Sequence, residues 1–383
     1  MCRFVHDYIC TRRTLLDNGI NAVLACQDES RSRWIDCLRG GALLLVFSRH
    51  IKDNFPFDVR TLLGSFDTAD LFVALSGYVM GRSAIRRISA GRDTLRPAVK
   101  RCATLYGAYL VTALAYDGMR GIAISEERVS MAAVVNYEDR WRYVKDTLLM
   151  CRAEHAMLSI LPVYLVFAML FPAFCRIAIR VPTFALAIST NVYIAAQCYP
   201  EYIRMPRPWA DVWFFNPFAW QFIFVLGAIV SFRPVAVHQF VSRWWVLGFS
   251  ICLVDWLVVA KALAYSEVIA WTGKRNYEIG RLCHFAPLVL LTACATIQLN
   301  WRLTGVVASL LRLCGRHSLL VYCTSLVATG CAEAALQWCD GGLSARCVIN
   351  CAGWCTCIVV AFVYESCAVW YEGTAAAISG ELG

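Results

Sequence analysis

Long apolar runs, separated by short polar clusters, pattern this chain. About thirty polar, weakly patterned residues come first. Ten apolar segments follow, near 37–50, 67–81, 98–116, 155–175, 181–198, 217–232, 244–264, 283–299, 317–337 and 347–370. A membrane-crossing helix needs about 20 apolar residues, and most of these runs approach that length. The pattern predicts an all-α fold: a polytopic membrane helix bundle of about ten transmembrane helices. Residues 1–30 read as a flexible cytoplasmic N-terminal extension, or as an over-extended start, since they lack the apolar core of a signal peptide. Residues 31–372 read as one integral-membrane domain and 373–383 as a cytoplasmic tail. No internal repeat or second soluble domain is visible.

Composition supports the membrane reading. The chain is 59% hydrophobic and only 16% charged, too apolar for a soluble globular domain. Its 13 Trp and 16 Tyr suit positions at headgroup level. Charge then sets orientation. The stretch GRSAIRRISAGRDTLRPAVKR, between segments two and three, holds seven basic residues and one acid. The positive-inside rule places it in the cytoplasm. The N-terminus then lies inside, His50 faces outward, and ten spans bring the C-terminus back inside. Such loops account for the net charge of +9. No basic tract carries the interleaved aromatics of a strand-binding groove, so nucleic acid is not an expected partner. The 20 cysteines lie mostly in or beside apolar runs, where Cys acts as a small hydrophobe. No zinc spacing occurs, and no metal is expected. Cys339 and Cys347 flank an outer loop and form a candidate disulfide in an oxidising compartment.

Against this apolar background the polar positions stand out. In RWIDCLRGGALLLVFSRHI, Arg39 and His50 are eleven apart, about 1100° of helix, so they share a face about 16 Å apart along the axis. Asp36 falls within about 40° of that face. Polar groups in a membrane helix usually face a water- or substrate-filled interior, which makes His50 a candidate base; interfacial anchoring is the plainer alternative. Segment two opens with Asp67 and Asp70, i and i+3, as carboxylates that orient a base or bind a sugar, or as charges on a helix N-terminus. Ser76 and Gly77 permit close packing against segment one. Segment four starts with His155, Ser159 and a kinking Pro162. Ahead of segment six, Asp211, Trp213, Asn216 and Trp220 suit an aromatic belt or sugar stacking. Arg281 and His284 share a face of segment eight. Arg316 and His317 open segment nine, placed to meet a phosphate or lipid headgroups. The loop 117–154, with Glu126, Glu127, Glu138, Asp139, Arg140, Arg142 and Lys145, is expected to cover an outer cavity.

These residues resemble the OpgC family, the succinyltransferases of osmoregulated periplasmic glucans, within the wider integral-membrane acyltransferases. The shared elements run in order over residues 31–370. They are the R-x-x-D-x-x-R-G start, FDTADLFVALSGY, ILPVY, WFFNPFAWQFIFVLGA, the run from Lys274 to Phe285, and GRHSL. The resemblance implies a bacterial inner-membrane protein of ten helices that takes an acyl group, a succinyl group in the family, from cytoplasmic acyl-CoA. The group goes to a hydroxyl of a periplasmic glucan. By position it implies Arg39 and His50 in the first helix, Asp67 in the second, and Arg281 and His284 in the eighth. Two positions depart: Arg49 and Ser159 stand where the family usually has Asp.

Chemistry and resemblance together give an O-acyltransferase. His50, Asp67, Arg281 and His284 are its candidate catalytic residues. His50 serves as base, Arg281 and His284 as oxyanion donors, and Asp67 as holder of a histidine tautomer. Asp70, Trp213, Asn216 and Trp220 are candidates for the glucan, and Arg39, Arg96, Arg101 and Arg316 for the CoA phosphates. Acyl-CoA, succinyl-CoA in particular, enters as co-substrate, with no tightly bound cofactor. The expected partners are this donor, the glucan and the bilayer, with oligomeric state left open. A transporter or flippase of a glycan or lipid, and an inactive acyltransferase homologue, are the alternatives.

Overall fold

The computed structural model describes residues 33–51, 67–124, 145–149, 151, 158–206, 209, 213–263, 272–298, 304–339 and 342–381. The 1–30 extension, the charged residues Glu126 to Arg142, His155 and Asp211 lie outside the described residues. All regular structure among the described residues is helical. The helices are α1 (33–50), α2 (Thr68–Ser89), α3 (Leu95–Ile124), α4 (Ile160–Arg180), α5 (Pro182–Cys198) and α6 (Pro217–Phe232). They continue with α7 (Pro234–Val241), α8 (Trp244–Leu263), α9 (Ile279–Gln298), α10 (Gly305–Arg316), α11 (Ser318–Trp338) and α12 (Leu343–Glu381).

Over its described residues each of the ten apolar segments is largely helical, and the helices α7 and α10 lie between segments. Among the described residues, four helices are long and apolar enough to cross a membrane alone: α4, α9, α11 and α12 up to Tyr371. The pair α6 and α7, bent by 96°, makes a fifth candidate. The bend falls where Pro234 opens α7, since a proline at the first helical position cannot donate to a preceding turn. The helix α3 runs past the expected end of its apolar segment to Ile124, and Lys145 belongs to a short helical stretch at 145–149. Pro162 lies in the first turn of α4, where proline is tolerated, and the proline inside that helix is Pro172. Cys339 and Cys347 are free thiols here.

The main core joins α2, α3, α4, α5 and α6, with Val73, Tyr109, Val163, Phe167, Trp220 and Phe224 all buried. The helix α2 packs most extensively on α6. A Cβ on Gly77 would lie 1.9 Å from the carbonyl oxygen of Phe224, and one on Gly227 would lie 2.0 Å from that of Ala74. Only glycine lets these two backbones approach so closely, the small-residue packing that membrane helices favour. Gly77 therefore meets α6 rather than the expected first helix. At the start of α1, the same reciprocal contact joins Gly40 to the Leu311 carbonyl and Gly315 to the Asp36 carbonyl, 1.9 Å in each case for an added Cβ. These contacts clamp α1 to α10.

Candidate functional site

The helices α1 and α2 run antiparallel, so the end of α1 holding Arg49 and His50 meets the start of α2. Asp67 caps α2 here: its carboxylate accepts the Ala69 N–H, and Asp70 accepts the Asp67 N–H at 2.9 Å. Such reciprocal capping needs only local sequence. What lies around it does not. Asp67 is 2% exposed and Asp70 is 0% exposed, and three cations from elsewhere converge on them. Arg49 Nη1 lies 2.6 Å from Asp67 Oδ1 and Lys274 Nζ lies 2.5 Å from Oδ2. Arg281 reaches both acids, with Nη2 at 3.4 Å from Asp67 Oδ2 and Nε at 3.0 Å from Asp70 Oδ1. Buried charges this close persist only when paired and hydrogen-bonded, because desolvation of each ion costs several kcal/mol. The cluster thus ties α1, α2, α9 and the turn before α9 together at the His50 end.

Of the residues expected to act here, Asp67 and Arg281 meet directly. His284, one helical turn on from Arg281, is also buried. His50 is half-buried at the end of α1, next to Arg49 in sequence. Asp70 faces Arg281 and the Asp67 amide, which makes it a support for the cluster. Lys274 and Arg49 are the members that motif reading had not assigned. Lys274 lay within the matched run, and Arg49 was noted as a departure, but neither position indicated its partner.

Two of the residues expected to hold sugar, Asn216 and Trp220, bond within the protein. The turn 272–278 that presents Lys274 is held by groups from α5, α6 and the segment before α6. Trp220 Nε1 donates to the Lys274 carbonyl at 2.9 Å, and the Asn216 backbone N–H donates to the Arg275 carbonyl at 2.9 Å. Gln197 donates to the Asn276 carbonyl at 2.8 Å and the Tyr193 hydroxyl to the Tyr277 carbonyl at 2.9 Å. Trp220 is 0% exposed, with its ring against Phe215 and Tyr277, so no face is open to stack on a sugar. Asn216 caps α6 and donates to the Ile203 carbonyl at 2.8 Å. Trp213 and Asn216 also line a surface pocket of about 60 Å³, room for a few waters.

At the opposite end of α1 and α2 the structure opens. A cleft of about 350 Å³ is lined by Arg39 and Asp36 from α1, by Arg82, Arg86 and Arg87 with Tyr78 from α2, and by Arg92 from the loop beyond. Five guanidinium groups thus share it with one carboxylate. Arg39 donates through Nη2 to Ser318 Oγ at the start of α11, and its Nε is buried without a hydrogen bond. Asp93, the single acid of the basic loop, accepts the N–H groups of Leu95 at 3.0 Å and Arg96 at 2.9 Å. Those bonds hold its carboxyl below the ordinary carboxylate range, so its charge goes to opening α3.

Of the four arginines expected to meet phosphates, Arg39 lines this cleft. Arg101, exposed on α3, stands near enough to Arg39 for their charges to interact. Arg96 is exposed in the first turn of α3. Arg316 pairs with Glu365 of α12 at 2.6 Å, and the same carboxylate takes His317. Arg82, Arg86, Arg87 and Arg92 had served only as an orientation signal. Their i, i+4, i+5 spacing on a helix end was the clue that they share a surface.

A family model described as "OpgC protein" matches residues 31–368. No curated protein and no solved structure matches the chain.

Proposed function

The chain belongs to the OpgC family, and from that premise we propose that it is a membrane-bound O-acyltransferase carrying an acyl group from cytoplasmic acyl-CoA to a periplasmic glucan. The acyl group is a succinyl group, and the membrane is the inner membrane of a bacterium. The observation that carries this reading is the pairing of two unlike sites along α1. An open arginine cleft lies at the Arg39 end, and a histidine stands beside a buried ion-pair cluster at the other. Arg39 and His50 are about 16 Å apart along one helix face. A donor with phosphates at one end and a thioester at the end of a long arm suits that separation.

The chemistry follows from the groups present. Arginines of the cleft take the phosphates of CoA by charge-assisted hydrogen bonds. His50 takes the proton from a glucan hydroxyl, whose oxygen attacks the thioester carbonyl. Arg281 and His284 stabilise the resulting oxyanion. The intermediate collapses with loss of the CoA thiolate, which recovers the proton from His50. One ester and one thiol replace one alcohol and one thioester.

The test is acyl transfer in proteoliposomes with labelled succinyl-CoA on one side and glucan on the other. Wild-type protein should label the glucan. Changing Arg86 and Arg87 together to Gln should raise the donor KM about ten-fold, the loss of one or two charge-assisted contacts. A wild-type protein that transfers no acyl group from any acyl-CoA would refute the assignment.

A further inference from the structure

We infer that Glu365 of α12 is a positioning residue for the arginine cleft: acting through His317 and Ser318, it fixes the Arg39 guanidinium where the donor's phosphates dock. This deepens the proposed function and rests on it for the identity of the donor. Arg39 lines the cleft from α1. Among the described residues, the one hydrogen bond of its side chain runs from Nη2 to Ser318 Oγ, and its Nε is buried without a partner. A guanidinium holds its donors in a rigid planar fork. The place of that one hydroxyl therefore decides where the remaining donors point.

Ser318 is the first residue of α11, and His317 before it is the elbow that ends α10 and starts α11. The His317 N–H donates to the Leu313 carbonyl at 3.3 Å, and its carbonyl accepts the Val321 N–H at 3.0 Å. Its side chain does not cap α11. It turns to α12, where Nε2 meets Glu365 Oε2 and the ring stands edge-on to Tyr364 with centroids 5.0 Å apart. The other oxygen of the same carboxylate accepts from Arg316 Nη1 at 2.6 Å. One carboxylate thus grips two consecutive side chains of the elbow. The elbow also abuts α1, since a Cβ on Gly315 would lie 1.9 Å from the Asp36 carbonyl oxygen.

Apolar contacts bring these helices together: Leu313, Cys314 and Val321 pack in one cluster with Cys357 and Ala361 of α12. Such contacts have no direction, whereas hydrogen bonds need one. The bonds to Glu365 therefore set the rotation of the elbow, and with it the Ser318 hydroxyl that aims Arg39. Stability gains little from them. The Glu365 side chain is 30% exposed and that of Arg316 51%, and ion pairs this open add little to the fold. Glu365→Gln keeps the size of the side chain, removes its charge and leaves one acceptor oxygen for two donors.

The test is a double-mutant cycle on the full chain in phosphatidylcholine nanodiscs. Calorimetry with inorganic pyrophosphate reads the cleft without any transfer step, and succinyl-CoA kinetics give the donor KM and kcat. Glu365→Gln should weaken pyrophosphate binding and raise the donor KM by about five-fold each, with kcat within about two-fold of wild type. His317→Phe, which cuts the same link from the elbow, should reproduce both changes. In an Arg39→Gln background, or in the milder Ser318→Ala, Glu365→Gln should change neither quantity further, because its path to the cleft is already cut. With Arg87→Gln, in the cleft but off that path, the two losses should add. Additive losses in the Arg39→Gln or Ser318→Ala background overturn the proposal, as does unchanged pyrophosphate affinity in folded Glu365→Gln. A wild type that binds no pyrophosphate overturns it as well, even if the variants fail to fold. A cycle that couples in a protein transferring no acyl group would refute the acyltransferase and leave Glu365 in its role. Normal transfer with an additive cycle would do the reverse.

Discussion

The arginine cleft and the ion-pair cluster sit at opposite ends of the same antiparallel pair, α1 and α2, and both are rich in cations. They differ in how the charge is met. In the cleft, five arginines line about 350 Å³ of open space with one carboxylate among them, and their side chains are exposed or half-buried. In the cluster, three cations close on two carboxylates that are fully buried. Open cations cost little to maintain and suit a polyanion that comes and goes, at the price of sensitivity to salt. Closed ion pairs are costly to desolvate and strongly destabilising when one partner is lost. They hold helices at fixed distances. One helix pair thus joins an open, arginine-rich end to an end whose charges are closed on one another.

The sharpest way to break this comparison is Asp67→Ala. It leaves Arg49, Lys274 and Arg281 facing each other with a single carboxylate between them. A loss of about 3–5 kcal/mol in stability is expected, the usual penalty for orphaning a buried charge. Denaturation in detergent micelles, followed by tryptophan fluorescence, measures it. Loss below about 1 kcal/mol would mean the cluster is wetter and looser than its distances indicate.

His50→Ala separates chemistry from position at the same end. His50 is half-buried, and the contacts of Asp67 and Asp70 with Arg49, Lys274 and Arg281 do not run through it, so thermal stability should fall far less than in Asp67→Ala. Acyl transfer should fall by about 10²-fold or more, the share of a general base. The succinyl content of isolated periplasmic glucans, with protein level checked by immunoblot, reports both. Full succinylation at normal protein level would remove His50 from the mechanism.

At the cleft the expected effects are smaller and depend on salt. The Arg86 and Arg87 change to Gln should lose most of its KM defect at high ionic strength, where a Debye length of about 3 Å screens the wild-type cleft as well. Arg96→Gln, on the first turn of α3 and away from the cleft lining, should shift the donor KM by less than about two-fold. A larger effect from Arg96 would extend the donor site along α3.

Smallest of all is Asp93→Ala. Its folded carboxyl titrates below the ordinary range, so the cap is intact above that range and is lost only as pH falls through the lowered value. At neutral pH the substitution should speed hydrogen exchange at the Leu95 and Arg96 amides and leave the cluster at the other end untouched. Altered exchange around Asp67 would show the two ends to be coupled.

The apolar periodicity alone placed a helix at every one of the ten segments, because helix formation depends on runs a few turns long. The capping pair Asp67 and Asp70 is local in the same way, and so is the shared face of Arg39 and His50. The basic loop after α2 was visible too, though its arginines read as an orientation signal until α1 was seen beside them. The tertiary structure decided which charges meet. Arg281 and Asp70 are 211 residues apart, and nothing near either one names the other. It also turned Asn216 and Trp220 from candidate sugar contacts into supports for the turn that carries Lys274. Gly77 was recognisable as a close-packing residue, but that it meets α6 followed only from which backbone stood opposite. Helical faces repeat every 3.6 residues and can be read one segment at a time. Buried charge must be balanced across whichever helices become neighbours, and that choice belongs to the packing of the whole chain.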